Sequence, residues 1–188
     1  MVCYFLLGVE MIVYLDVDGV LANFNKAACK ALGVSYPPLK WHWYKDVLDG
    51  FNKLNEICTF DFWENLEWMP DGTKIFEEIT NQFPLSKILL ITAPMPNKES
   101  ATGKWKWIDK QLPGFSGQTI ITQVSKSLLA KPNTLLIDDK TQNVDEFRQA
   151  GGQTILVPRP WNSLHLLADK SVEIVKQQLA EVKCHESS

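Results

Sequence analysis

Ile12-Val13-Tyr14-Leu15-Asp16-Val17-Asp18-Gly19-Val20 is an apolar run that ends in two carboxylates and a glycine. Dense in Val, Ile and Leu instead of alternating with polar residues, it reads as a strand buried on both faces, as in a parallel sheet. Period-two geometry turns Asp16 and Asp18 to the same side, and Gly19 lets the chain leave the strand sharply. Runs of the same kind recur at 87–92, 118–122, Thr134–Asp138 and 154–157. Helical patterns alternate with them. Ala101, Trp105, Ile108 and Leu112 form an apolar stripe that Pro113-Gly114 ends, 144–150 stops at Gly151-Gly152, and Val172, Val175 and Leu179 mark a final helix frayed beyond His185. The alternation predicts an α/β fold with a Rossmann-like parallel sheet flanked by helices.

One connection is too long for a crossover helix. About 70 residues separate Asp16 from Lys87, whereas later strands follow one another closely. The expected organisation is a core over 1–22 and 72–188, with a small, mainly helical cap over 23–71 inserted after the first strand. The insertion holds a helical stretch from Lys26 to Leu32 and a Pro37-Pro38 turn. It also holds nine of the aromatic rings, between Tyr36 and Trp68, in a chain with 7 Trp, 4 Tyr and 9 Phe. A cap of this size needs large side chains to build any core, and a planar ligand could stack on rings it leaves open.

Composition sets outer limits. With 188 residues, 45% hydrophobic and 22% charged, the chain is an ordinary globular protein with room for one sizeable core. A formal charge of -3 offers no electrostatic footprint for duplex nucleic acid. Cys3, Cys29, Cys58 and Cys184 are far apart and fit reduced, buried thiols in a cytoplasmic protein. The N-terminal stretch 1–15 has no basic region, is interrupted by Glu10 and is too short to span a bilayer, so no membrane association is expected and Met11 is an alternative start.

The chemistry lies at the strand ends. A second acidic pair, Asp138-Asp139, ends the run Leu135-Leu136-Ile137. In open α/β sheets ligands bind at the carboxyl ends of strands, where strand order reverses. Two like charges about 4 Å apart repel by about 4 kcal/mol at an effective dielectric of 20, so carboxylates gathered there call for a cation. All-oxygen ligands with room for water and phosphate suit Mg²⁺. Taken alone, either pair could instead cap a helix, as Asp139 could for the segment from Thr141. Thr92 and Ala93 end the second run and offer a hydroxyl and free amides to phosphate oxygens, and Lys126 follows the third.

In order, Asp16-Val17-Asp18-Gly19, Thr92, Lys126 and Asp138-Asp139 resemble the four motifs of the haloacid dehalogenase-like phosphohydrolases. Phe62-Trp63-Glu64-Asn65-Leu66-Glu67, Ile91-Thr92-Ala93-Pro94, Lys104-Trp105-Lys106-Trp107-Ile108 and Arg159-Pro160-Trp161-Asn162 are similar to the 5'(3')-deoxyribonucleotidases within them. The resemblance implies a phosphomonoesterase acting on nucleoside monophosphates. It makes Asp16 the nucleophile that forms an aspartyl phosphate, and Asp18 the acid and then the base. It has Thr92, Ala93 and Lys126 bind phosphate. Asp16, Asp138, the carbonyl of Asp18 and, through water, Asp139 hold Mg²⁺, and Phe62 and Trp63 match the stretch that contacts the base; Trp43, Trp41 and Tyr44 are further candidates among the cap's own rings to face the substrate. Two residues depart from that pattern: Ala93 stands where the family has Ser and Val124 where it has Arg. Lys131 competes with Lys126 for the motif-three lysine, and spacing favours Lys126. Lys104 and Lys106 read as a solvated basic face, and His42 and His165 are isolated. A sugar phosphatase is the nearest alternative. A phospho-accepting receiver or a nucleotide sensor is more distant, since receivers carry their accepting Asp on a middle strand and have no large insertion.

Overall fold

The computed structural model describes residues 11–182; the N-terminal stretch 1–10 and the frayed end expected beyond His185 lie outside them. Five strands, β1 (Ile12–Asp16), β2 (Ile88–Thr92), β3 (Thr119–Ile121), β4 (Thr134–Asp138) and β5 (Gln153–Leu156), form one parallel sheet in the order β3-β2-β1-β4-β5. The fold is the expected α/β sheet. Leu15 of β1 lies beside Leu90 of β2 on one side and Ile137 of β4 on the other. The chain builds β1-β2-β3 outward in one direction and then returns to place β4 and β5 on the other side of β1. This puts the reversal of strand order between β1 and β4, directly at the carboxyl end of the acidic strand.

The apolar runs are continuous because both sheet faces are covered. Val13, Leu15, Ile88, Leu90, Leu135 and Ile137 pack into the main core with α4 (Gly72–Gln82), α5 (Ser100–Gln111) and α7 (Ser171–Glu181). Tyr14, Ile91 and Leu136 turn to the other face and meet Phe147 of α6 (Thr141–Gln149). Each such fully buried aliphatic side chain contributes about 1.5–3 kcal/mol. Following the same alternation, Asp16 and Asp138 come off the sheet on the side of Tyr14 and Leu136.

Between β1 and α4 lie α1 (Phe24–Leu32), a 3-10 turn at Trp43–Asp46, α2 (Gly50–Ile57) and α3 (Phe60–Glu64). Asn23 caps α1 by accepting from the Lys26 amide at 3.2 Å. Ala28, Cys29, Trp43 and Leu54 form a small cluster of their own, whereas Cys58, Trp63 and Leu66 join the main core. Many of the insertion's rings are therefore structural. Burial pushes the Cys29 thiol up to about 11 and that of Cys58 to about 12, as expected of inert fillers.

Helix α5 corrects one expectation. The predicted stripe included Trp105 and turned Lys104 to solvent, but Trp105 is 44% exposed and Lys104 only 2%. The buried face is Ser100, Gly103, Lys104, Trp107 and Ile108. Gly103 explains the phase: a Cβ there would lie 2.7 Å from Trp63 Cβ and 2.8 Å from the Phe60 carbonyl oxygen, so only glycine lets α5 approach α3 this closely. Lys104 is carried inward with it. Lys106 is solvated as expected, paired at 3.2 Å with Asp109.

Candidate active site

At the reversal point, Asp16, Asp138 and Asp139, all buried, can each offer an oxygen within 4.8 Å of the others. Lys126, at the start of the 3-10 turn after β3, donates to Asp16 Oδ1 at 2.7 Å and Asp138 Oδ2 at 2.6 Å. The structure thus places Lys126, not the exposed Lys131, against the acids. Asp138 also accepts from the Lys140 amide at 2.8 Å and from Asn143 Nδ2 at 3.0 Å. Asp139 does not cap α6, since its Oδ2 accepts from Trp161 Nε1 at 2.6 Å. Burial, with Asp138 and Asp18 adding to it and Lys126 opposing, pushes the Asp16 carboxyl up to about 7. Burial and the neighbouring Asp138 and Asp16 likewise hold Asp139 well above the usual carboxylate range. Burial would lower the Lys126 ammonium, but Asp138 and Asp16 outweigh it and raise it, so Lys126 stays charged.

The other half of the site is built around Asp18. Its Oδ2 accepts from Thr92 Oγ1 at 3.0 Å and pairs with Lys104. Lys104 also donates to Thr92 Oγ1 at 3.1 Å and sits 3.8 Å over the Trp63 ring. Sequence reasoning missed this residue by reading charge as exposure, although Lys104 stands three and four residues before the buried Trp107 and Ile108. Fully ionised, the four carboxylates would exceed the two ammonium groups by two charges, and this crowding adds to burial in raising Asp16 and Asp139. Two buried carboxylate oxygens, Asp18 Oδ1 and Asp139 Oδ1, have no hydrogen-bond partner among the described residues. The unpartnered Asp139 Oδ1, in a triad of buried carboxylates, fits a divalent cation with oxygen ligands. Asp18 does not enter the carboxylate triad through its side chain.

Two openings adjoin these residues. A groove of about 500 Å³ runs past Asp16, Asp18, Ala93, Lys126 and Lys140. A cavity of about 170 Å³ lies beside Asp18, Gly19 and Asp139, walled by Phe24, Trp41, Trp43, Tyr44 and Phe51. Trp41 borders both, under Lys140 at 5.4 Å. Of the rings expected to meet substrate, Trp43 lines the cavity but is nearly buried and donates to Asn25 Oδ1 at 2.9 Å. Trp63 borders the groove but is 2% exposed, stacked on Phe24 at 5.1 Å and covered by Lys104. Phe62 packs edge-on against Phe24 and Trp63 and lines neither opening. Phe24, Trp41, Tyr44 and Phe51 are the more open rings. A larger cleft of about 600 Å³ against β5 and α7 gathers no acidic cluster.

The family model described as 5' nucleotidase, deoxy (pyrimidine), cytosolic type C protein matches residues 10–176. The chain belongs to this family. It is a haloacid dehalogenase-like phosphoric monoester hydrolase of the 5'-nucleotidase type. Among solved structures, a hydrolase from Pseudomonas syringae superposes with a TM-score of 0.54 at 12% identity, covering 93% of this chain and 100% of that one. A haloacid dehalogenase-like family protein from Streptococcus pneumoniae gives 0.52 at 16%, covering 84% and 90%. A HAD hydrolase from Bacillus subtilis, solved bound to magnesium, gives 0.50 at 14%, covering 79% and 87%. At these identities the likeness concerns the fold. No curated protein matches the chain.

In this nucleotidase the two departures noted above both face the groove. Ala93 and Val124 line it and are exposed. The cations that line this groove are Lys126 and Lys140. No helix among the described residues is long and apolar enough to cross a membrane.

Proposed function

We propose that the chain is a Mg²⁺-dependent 5'-nucleotidase that removes phosphate from (deoxy)ribonucleoside monophosphates by way of an aspartyl phosphate on Asp16. The observation that carries this reading is the juxtaposition of the Asp16-Asp138-Asp139 triad with an aromatic cavity that Asp139 itself lines, beside Asp18 and Gly19. Asp16, Asp138, Asp139 and the Asp18 carbonyl would hold the ion. Bound there, it would neutralise phosphate charge and draw the phosphorus toward the nucleophile. The magnesium in the Bacillus subtilis neighbour is consistent with such a site in this fold.

The protein's own groups supply the rest. Asp16 attacks in its ionised form, and Lys126, in contact with it, favours that form against the upward pull of burial. Lys126 and Lys104 flank the place where phosphoryl oxygens arrive, and Thr92 Oγ1, whose one proton goes to Asp18 Oδ2, binds a phosphoryl oxygen by turning that proton toward it. Asp18 is held through Oδ2 by Lys104 and Thr92, which leaves Oδ1 free to protonate the leaving alkoxide and then to take a proton from the attacking water. An apolar cavity of roughly 150 Å³ accepts a single six-membered ring, so the 170 Å³ cavity suits a pyrimidine base. Residues 23–71 act as the cap that carries these rings. Buried free Cys29 and Cys58 accord with a reducing, cytoplasmic setting.

A panel of nucleoside and sugar monophosphates tests this reading through phosphate release with Mg²⁺ or with chelator. Pyrimidine nucleotides are expected to lead, only with Mg²⁺. Turnover of sugar phosphates alone would overturn the nucleotide assignment, and undiminished turnover in chelator would overturn the metal assignment.

A further inference from the structure

The loop after β5 carries Arg159-Pro160-Trp161-Asn162, which the catalytic steps above do not use, yet it is fastened to both acidic strand ends. Arg159, 3% exposed, donates through Nε to the Gly19 carbonyl at 2.6 Å and through Nη1 to Asp71 Oδ2 at 2.6 Å. Asn162 Nδ2 donates to the Asp139 carbonyl at 2.8 Å and to the Val157 carbonyl at 2.7 Å, while its Oδ1 accepts from the Arg159 amide at 3.2 Å. Trp161, also buried, donates its indole N–H to Asp139 Oδ2.

Asp139 is thereby held at its backbone carbonyl and at Oδ2. The oxygen that Trp161 holds is the one that would lie 2.1 Å from a Cβ at Gly19, so the carboxylate rests on bare backbone at φ +79°. The other oxygen, Oδ1, is buried and has no partner among the described residues. An indole N–H is a donor that neither ligates a metal nor titrates. It occupies one carboxylate oxygen and leaves the other in a fixed direction. We propose that Trp161 is a positioning residue: by holding Asp139 Oδ2 it reserves Oδ1 for the divalent cation or the cation's water. This rests on the metal assignment above but not on the identity of the phosphate ester. Partners of metal-ligating carboxylates of this kind change metal affinity by about 10- to 100-fold when removed.

The test is calorimetric titration of the full chain with Mg²⁺ alone, beside kinetics at varied Mg²⁺. Trp161→Phe keeps a ring and removes the N–H. It is expected to bind Mg²⁺ about tenfold or more weakly, with kcat recovering as Mg²⁺ is raised. Trp161→His can present a ring N–H again and is expected to recover part of the affinity. Trp105→Phe, the same change on an exposed ring, is expected to bind as the wild type does. Melting in chelator establishes that each variant is folded, and if the Phe variant is not, the His and wild-type titrations make the comparison. Wild-type affinity in the folded Trp161 variants overturns the positioning role while leaving the metal site standing. No Mg²⁺ binding by the wild type overturns both.

Discussion

Replacing Lys104 by Met keeps the length of the side chain and removes its ammonium group, which pairs with Asp18, donates to Thr92 at 3.1 Å and lies over Trp63. In the proposed site that ammonium meets the phosphoryl group. Removing one preorganised donor of this kind costs about 10²–10³ in kcat. The fold also loses an ion pair whose lysine is 2% exposed. Breaking a fully buried pair costs about 3–5 kcal/mol, but the Asp18 side chain is 21% exposed and water can reach it. A loss of about 1–3 kcal/mol is therefore expected, or a fall in melting temperature of roughly 5 °C for a chain of this size. Lys106→Met is the control, two residues along the same helix, where the pair with Asp109 is exposed on both sides and worth at most about 0.5 kcal/mol. Steady-state kinetics on a nucleoside monophosphate and thermal melts of both variants give the answer. If Lys104→Met retained kcat within threefold of the wild type, the assignment of Lys104 to the phosphate site would be refuted, and it would be a structural counter-ion to Asp18.

Gly19→Ala is expected to abolish turnover while leaving a folded protein, because the new Cβ meets Asp139 Oδ2 at 2.1 Å at a φ of +79°; activity near the wild type's would show that Asp139 can move freely. Phe51→Ala should raise KM for nucleotides by about 1–3 kcal/mol of lost stacking with little change in kcat, and leave hydrolysis of a small phosphate ester unaffected. The metal-free protein should lose stability as pH rises from about 4 to about 7. Folded Asp16 holds its proton up to about 7, whereas the unfolded chain releases it near 3.8. Mg²⁺ replaces that proton, so its stabilising effect should grow through the same window. Melts with Mg²⁺ and with chelator at about pH 5 and about pH 8 measure this, and an equal Mg²⁺ effect at both would contradict it.

The sheet was readable because buried parallel strands leave a local mark: Ile12–Asp16 and Thr134–Asp138 fall where their apolar runs do. The acids, Thr92 and Lys126 were readable because each sits at or just beyond a strand end, a position that sequence order nearly determines. Lys104 was not, since a lysine in a helix is turned outward by default, and the observation that turns it inward is the contact of Gly103 with Phe60 and Trp63, residues far away in sequence. Which rings stay open was not legible for a similar reason. Trp63 and Phe62 match a motif, yet which rings stay open depends on Trp43 being tied to Asn25 and Trp63 being covered by Phe24 and Lys104, none of which spacing records. Arg159, Trp161 and Asn162 were visible only as a local likeness, and their role depends on tertiary contacts to Gly19 and Asp139.

The central claim is that Asp16 carries the phosphoryl group. Acid-quenched single turnovers on a pyrimidine nucleoside monophosphate in Mg²⁺, followed by peptide mass spectrometry, test it most directly. A transient, hydroxylamine-labile phosphoryl group is expected on Asp16 and none in Asp16→Asn, which should also release no phosphate. Full turnover by Asp16→Asn, or phosphate release with no phosphoryl group on Asp16 at any quench time, would contradict it.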